Sequence, residues 1–463
     1  MATSGSGEAS RAEDIVNAIR MGENDCQAVY NEVSVQIVKG LMMHREDPDK
    51  VDFAKSDFMM LDTGVKHTPT GEELGVYYGL DMGGSNVRAM RVTFDGSGMV
   101  QATTEEKVSL AEVPYAADLP RGVFDRMATA SQLFDGVVWA VKRLMQRHDE
   151  LGTTKPVVDV GFTCSFGIQQ KTIDKAVLTQ WSKGFETGTG TNDPVVGQDV
   201  GAMVNEAFHR QNINAKVNCI LNDTLSTLIS GNLNHDGPPC QVGAIVGTGF
   251  NVCYFEKDAP LFNYGGNVVN TECGGLAHSL PRVSADSQVD FNSSNPGHQV
   301  CEKMVSGLYL GECIRYMMID ILQDHAPPSL WVKNSLLTAD AAKIFNAPAA
   351  DKTQVAGWFQ REPSDTELHT LKDIVDAVFT RSARLVGCVL AAFATRTMTG
   401  LKLDRLTVGV DGSLYVLNPK YQNLVAETIQ EQLSMPHILL TSATGGSCTG
   451  AALLSACTKA GTN

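Results

Sequence analysis

Two short stretches carry the reading: Leu80 to Val87 (LDMGGSNV) and Ile245 to Val252 (IVGTGFNV). Each closes an apolar run, turns on glycine, and continues as Gly-x-Asn-Val. The offset is constant, because Gly84 and Gly249, like Asn86 and Asn251, stand 165 residues apart. Glycine in such a turn lets backbone N–H groups approach a phosphate with no Cβ in the way. Ordinary hairpin chemistry produces similar short strings, so the repeat gains its meaning from what surrounds it.

Working outward, Leu74 to Leu80, Asn86 to Phe94 and Met99 to Leu110 read as three strands, with Asp95-Gly96-Ser97-Gly98 as a hairpin turn. Leu133, Val137, Ala140, Val141 and Leu144 share a helical face, and Val157 to Phe166 follows as a buried strand. A further run, Val217 to Leu221, ends directly on Asn222-Asp223. The second half repeats this grammar with Val242 to Val246, a Gly-Thr-Gly turn, and Asn251 to Phe255. Helical patterns cover 299–323 and 368–396, and another runs from Ala12 to Met43 with an interruption around Gly22 to Asp25. Residues 1–10 are small and polar and read as a disordered tail. Strands alternating with helices on this scale predict an α/β fold.

With 463 residues, 43% hydrophobic and 19% charged, the chain lies well inside the globular range and is long enough for two or three domains. Its formal charge of −15 repels polyanions, so nucleic acid is excluded as a first guess and any phosphate must be held by local groups. Eleven cysteines with no C-x-x-C pair read as reduced thiols, and neither a signal peptide nor an 18-residue apolar span is evident. The expected compartment is cytoplasmic, with no transmembrane segment. A P-loop and a complete G-x-G-x-x-G are both absent.

The candidate chemistry is therefore distributed. Gly83-Gly84-Ser85-Asn86 and Gly247-Thr248-Gly249 are possible phosphate cradles. Asp81 either holds a hydrated Mg²⁺ or simply starts a turn. Asp223, beyond a buried strand, either accepts a hydroxyl proton in phosphoryl transfer or belongs to an Asx-turn; as a glycosylation sequon, Asn222-Asp223-Thr224 conflicts with the thiols. Trp181-Ser182-Lys183-Gly184-Phe185 sets a hydroxyl and a cation between aromatics, as either a sugar-contacting loop or a plain turn anchored by aromatics. Glu272 and Glu302 are uninformative singly.

In this order, over nearly the whole chain, these segments resemble the hexokinase family of the actin-like ATPase superfamily. LDMGGSNVRAMRV from Leu80 is similar to the family's phosphate-1 motif LDLGGTNFRV. GFTCSFGI from Gly161 and WSKGF from Trp181 are similar to its sugar segments FSFP and WTKGF. ILNDTLSTL from Ile220 resembles the catalytic VNDTVGTL, and VGAIVGTGFNVCYFE from Val242 the phosphate-2 strand pair. NTECGG from Asn270 resembles NxEWGA, NPGHQVCEKMVSGLYLGE from Asn295 a helix signature, and VGVDGSLY from Val408 the adenosine motif.

The resemblance implies a two-lobed, ribonuclease H-like fold with the active site in the cleft. The expected small domain is 74–219, joined by a C-terminal helix at 449–463; the large domain is 220–448 with an N-terminal helical part at 11–73. It implies Asp223 as general base, Lys183 and Arg88 as charge near the transferring phosphoryl group, and Asp81 as the residue orienting Mg²⁺. Ser165, Ser182, Lys183, Asn222, Asp223, Asn251, Glu272 and Glu302 would bind a hexose (glucose, with fructose and mannose as further candidates). Gly83, Gly84, Ser85, Asn86, Gly247, Thr248, Gly249, Gly412, Ser413 and Ser447 would line ATP.

The implied activity is ATP-dependent phosphorylation of a hexose at its 6-hydroxyl. A hexose sensor without turnover, a kinase for another sugar and an actin-like ATPase are the alternatives, and monomer or homo-oligomer stays open. The sequence departs from the family's pattern in several places. Gly167 replaces a proline and would free the backbone of a sugar loop; Ser182 replaces a threonine; Cys273 replaces a tryptophan. Phe250 replaces a small hydroxyl residue and would crowd the nucleotide. Cys448 and Thr449 replace glycine and lysine.

Overall fold

The computed structural model describes residues 4–97, 99–181, 184–233, 237–442 and 446–461. Its first helix, Ser4–Ile19, begins inside the stretch expected to be a tail. Ala12, Val16 and Ile19 recur at helical spacing and are buried, which gives this Ala- and Glu-containing segment a face to dock. The next helix, Glu23–Glu46, starts at Gly22 and buries Val29, Val33, Ile37 and Leu41 in the same core. A short strand, β1 (Leu61–Asp62), follows.

The small-lobe sheet contains β2 (Leu74–Met82), β3 (Asn86–Asp95), β4 (Val100–Ser109) and β5 (Val158–Cys164). A ribbon of β6 (Gly167–Thr172) and β7 (Lys175–Gln180) leads on to the sheet's last strand, β8 (Ala215–Leu221). The large-lobe sheet contains β9 (Cys240–Val246), β10 (Phe250–Phe255), β11 (Val268–Asn270), β12 (Leu406–Asp411) and β13 (Ile438–Ser442), with β1 added at its edge. The strand orders are β4-β3-β2-β5-β8 and β1-β11-β10-β9-β12-β13. In both, an antiparallel three-strand meander continues into two parallel strands. β2 and β9 thus occupy equivalent positions, and the 165-residue repeat marks a duplicated topology.

Two helices lie between the sheets, and glycines set how closely. Along β2, Gly79 and Asp81 share a face by strand alternation. A Cβ at Gly79 would meet the Cys448 carbonyl oxygen at 1.8 Å, and one at Gly161 of β5 would meet that of Ala451 at 1.9 Å. The C-terminal helix Gly446–Lys459 therefore rests backbone to backbone on the small lobe. On the other side, a Cβ at Gly243 would meet the Thr224 carbonyl oxygen at 2.4 Å, seating helix Asp223–Ser230 on the large-lobe sheet. The two helices touch each other at Gly450 and the Ser226 carbonyl, with the would-be contact at 2.2 Å.

The large-lobe core surrounds helix Asp365–Leu401. This helix is long and apolar enough to cross a membrane, but 89% of its apolar window is buried inside the protein. It is core packing rather than lipid contact that its composition serves. The pattern over 299–323 forms two helices instead of one, Val300–Val305 and Leu310–Leu322. They separate because the Gly307 N–H donates to the Gly247 carbonyl oxygen (2.7 Å) rather than continuing a helix.

Candidate active site

The first glycine turn closes with the Gly83 N–H donating to the Asn86 carbonyl (3.1 Å), and the Ser85 carbonyl accepts from the Leu110 N–H (3.0 Å). Asp81, two residues earlier on β2, stands opposite Arg88 on β3 and beside Thr163 on β5. Residues paired in register share a sheet face, so Asp81, Arg88 and Thr163 gather where the C-terminal helix begins. Arg88 is exposed.

The second turn is tied to two other segments. Gly247 N–H donates to Gly249 O (3.0 Å), and Leu308 N–H donates to Thr248 O (3.3 Å). Gly412, at φ 110°, lies against it, since a Cβ there would sit 2.5 Å from the Val246 carbonyl oxygen. Ser413 then opens a short helix and is exposed beside Gly412, as Thr248 is in its own turn. Gly247, Thr248, Gly249, Gly412 and Ser413 are thus one surface. Ser447 lies in the first turn of the C-terminal helix, where its carbonyl accepts from Ser226 Oγ (2.7 Å).

Asp223 begins its helix two residues after β8 ends, with Asn222 as N-cap accepting from the Leu225 N–H (2.9 Å). A carboxylate at a helix N-terminus is stabilised as the anion by the unpaired N–H groups there. Near it, Asn251 Nδ2 donates to Asn270 Oδ1 and to Glu272 Oε1, and Asn270 Nδ2 donates to the same Glu272 oxygen, each at 2.9 Å. Glu272 sits in left-handed backbone at φ 52°, an uncommon state for a side-chain-bearing residue. Glu302 Oε2 accepts from the Phe250 N–H at 2.9 Å, and a Cβ at Gly249 would stand 2.8 Å from that oxygen.

Burial pushes Glu272 up to about 7; the Asn270 hydrogen bond opposes this, while the charges of Asp223 and Glu302 add to it. Glu302 is raised as well, first by burial, against the Phe250 N–H that favours its anion. The three acids therefore sense one another. Ser165 is tied to the phosphate strand, its N–H donating to Met82 O (3.4 Å). Trp181 stacks on Phe185 (5.0 Å) and meets Phe166 edge-on (5.3 Å), so the three rings form an aromatic clasp. Ser182 and Lys183 lie outside the described residues.

Two of the sequence departures behave differently from expectation. Phe250 does not crowd the nucleotide: strand alternation turns it into the large-lobe core, where it is 2% exposed. Gly167 does not free the sugar loop, because it pairs with Gln180 in the ribbon and its carbonyl accepts from Thr179 Oγ1 (2.9 Å). Cys273 is buried in the large-lobe core, and Cys448 approaches the Arg88 carbonyl through its sulfur (3.4 Å). Sequence reading missed Asn270, whose amide shares Glu272; it stands in the NTECGG segment, and an amide beside a buried acid was the available signal.

Sheets of one topology on either side of two helices, glycine turns at equivalent positions and a carboxylate at the N-terminus of one of those helices are the organisation of a two-lobed sugar kinase of the actin-like class. Comparison with known proteins agrees. Two hexokinase family models match residues 11–233 and 241–457. A hexokinase of Plasmodium falciparum is 35% identical over 96% of this chain and 91% of its own length, and one of Toxoplasma gondii is 35% identical over 84% of each. A crystal structure of a hexokinase superposes with TM-score 0.90 at 34% identity, covering 97% of this chain and 99% of that one. A hexokinase from Schistosoma mansoni complexed with glucose gives TM-score 0.78 at 28% identity, covering 97% and 99%. The chain belongs to the hexokinase family.

Proposed function

We propose that the protein transfers the γ-phosphoryl group of ATP to the 6-hydroxyl of glucose and related hexoses. The observation that carries this reading is the cluster of Asp223, Glu272 and Glu302 with Asn251, since a ring of sugar hydroxyls needs many directional acceptors and donors in one place. Asp223 takes the proton of the attacking hydroxyl. Glu272 and Glu302 accept from other hydroxyls and orient the sugar, while Asn251 both contacts it and holds Glu272.

On the nucleotide side, the turns at Gly83–Asn86 and Gly247–Gly249 present backbone N–H groups to phosphate oxygens, and Gly412, Ser413 and Ser447 line the remainder. Arg88 and Lys183 add positive charge for the loose, anionic transition state. Asp81 is a hard oxygen donor beside a phosphate turn and so fits a hydrated Mg²⁺. When bound, that ion neutralises charge on the phosphates. A cytoplasmic setting suits eleven buried cysteines with no disulfide among them.

The test is ADP release from Mg·ATP, with and without glucose, for the native chain and for Asp223→Ala. Sugar-dependent turnover is expected to fall about 10²- to 10⁴-fold in the variant, with glucose binding retained. ADP release indifferent to sugar, or glucose binding with no turnover on any hexose, would overturn the reading.

A further inference from the structure

We propose that Ser226 is a positioning residue for phosphoryl transfer, holding the helix that bears Asp223 against both the strand beside Asp81 and the C-terminal helix; this rests on Asp223 being the base. Ser226 Oγ donates to Ser447 O (2.7 Å). Thr163 Oγ1 lies 3.1 Å from Ser226 Oγ and 3.2 Å from Ser447 O. Both hydroxyl residues have 0% exposure. They form a closed, buried knot whose three members come from β5, the Asp223 helix and the C-terminal helix.

Each member leads directly to a group in the reaction. Thr163 pairs in register with Asp81, Ser226 stands one helical turn beyond Asp223, and Ser447 supplies the nucleotide side. The ILNDTLSTL segment carries serine where the family's VNDTVGTL motif carries glycine. Around it the packing leaves no slack: Gly450 presses on the Ser226 carbonyl and Gly243 on that of Thr224. With both sides of the helix in backbone contact, the remaining freedom is a slide or rotation along the contact, and that is the motion a directional hydroxyl bond opposes. A small displacement of a base is costly because reaction geometry is narrow.

The experiment measures kcat, KM for glucose and for Mg·ATP, glucose binding and thermal midpoint for Ser226→Ala, Thr163→Val, Thr163→Ser and the Ser226→Ala/Thr163→Val pair, with Asp223→Ala alongside. Expected are a fall in kcat of about tenfold in Ser226→Ala and Thr163→Val, both KM values within about twofold, native-like kcat in Thr163→Ser, and a double variant far less impaired than the product of the singles. A kcat within twofold of native in Ser226→Ala, or independent multiplying effects, overturns the proposal whatever happens to stability. Should Ser226→Ala not fold, the Thr163→Val and Thr163→Ser comparison decides by the same criterion. If Asp223→Ala keeps its turnover, the base assignment fails; if only Asp223→Ala loses it, the positioning role alone fails.

Discussion

Asn251 Nδ2 and Glu272 Oε1 lie 2.9 Å apart, and the same oxygen accepts from Asn270, so one carboxylate oxygen holds two amides. The pair is a prebuilt acceptor whose strength depends on the charge of Glu272. Burial sets that charge's midpoint at about 7.

Glucose affinity should therefore depend on pH. An ionised Glu272 accepts hydroxyl protons better than a neutral one, so the dissociation constant is expected to rise as pH falls below 7 and to level above it. Titration of glucose binding between pH 5.5 and 8.5 checks this, and Glu272→Gln should remove the inflection while weakening binding at high pH. A native profile flat across that range contradicts the assignment.

The same acid links pH to stability with the opposite sense. Its pKa is raised on folding, from about 4.5 to about 7, so the folded state binds more protons between those values. Glu272 alone then makes stability fall as pH rises through that window, by on the order of 3 kcal/mol in total, with no further loss above it. Comparing denaturant midpoints of native protein and Glu272→Gln at pH 5 and pH 8 isolates the contribution; the variant should lose less stability on going to pH 8.

Gly412 should not tolerate a side chain. Its φ of 110° and the Val246 carbonyl 2.5 Å from a would-be Cβ require the turn to move, and Gly247 rests against it. Gly412→Ala is expected to raise KM for Mg·ATP at least about tenfold while glucose binding stays near native. Equal damage to both substrates would show that the turn serves the whole lobe instead of the nucleotide.

Arg381 and Asp286 form a pair buried at 0% and 3% exposure, joined by two bonds of 2.6 and 2.7 Å. Asp286→Ala strands a guanidinium in the core and should cost about 3 to 5 kcal/mol. The double change Asp286→Leu/Arg381→Met should recover most of it, as read from denaturant midpoints. No loss in the single variant would mean that water reaches the site.

Lys171 of the β6–β7 ribbon pairs with Asp49 of the N-terminal segment at 2.9 Å, bridging the lobes at the surface. Lys171→Glu should raise KM for glucose by no more than about fivefold, since exposed pairs are weak. Adding Asp49→Lys should restore it at low salt.

The duplicated topology was legible because Gly84 and Gly249 mark equivalent hairpins, and a Val- and Tyr-rich run and an apolar run located β2 and β9 to within two residues. The acids were legible only together, each being ordinary alone. Periodicity could not show the break at Ser306 and Gly307, which comes from a bond to Gly247 far away in sequence. Nor could it reveal Ser226, whose partners Thr163 and Ser447 are separated from it by long stretches of chain. The orientation of Phe250 is readable from the period of two along β10, which puts it on the buried face with Val252 and Tyr254.

The seating of helix Gly446–Lys459 on Gly79 and Gly161 also orders events during synthesis. Every strand of the small-lobe sheet has been made long before that helix leaves the ribosome, yet the glycine face of the sheet has no cover until it does. The growing chain carries these strands before it carries the helix that covers their glycine face. Sensitivity to chaperone supply, and to truncation within residues 446–459, should thus appear in the yield of soluble protein before it appears in the properties of any molecule that has folded.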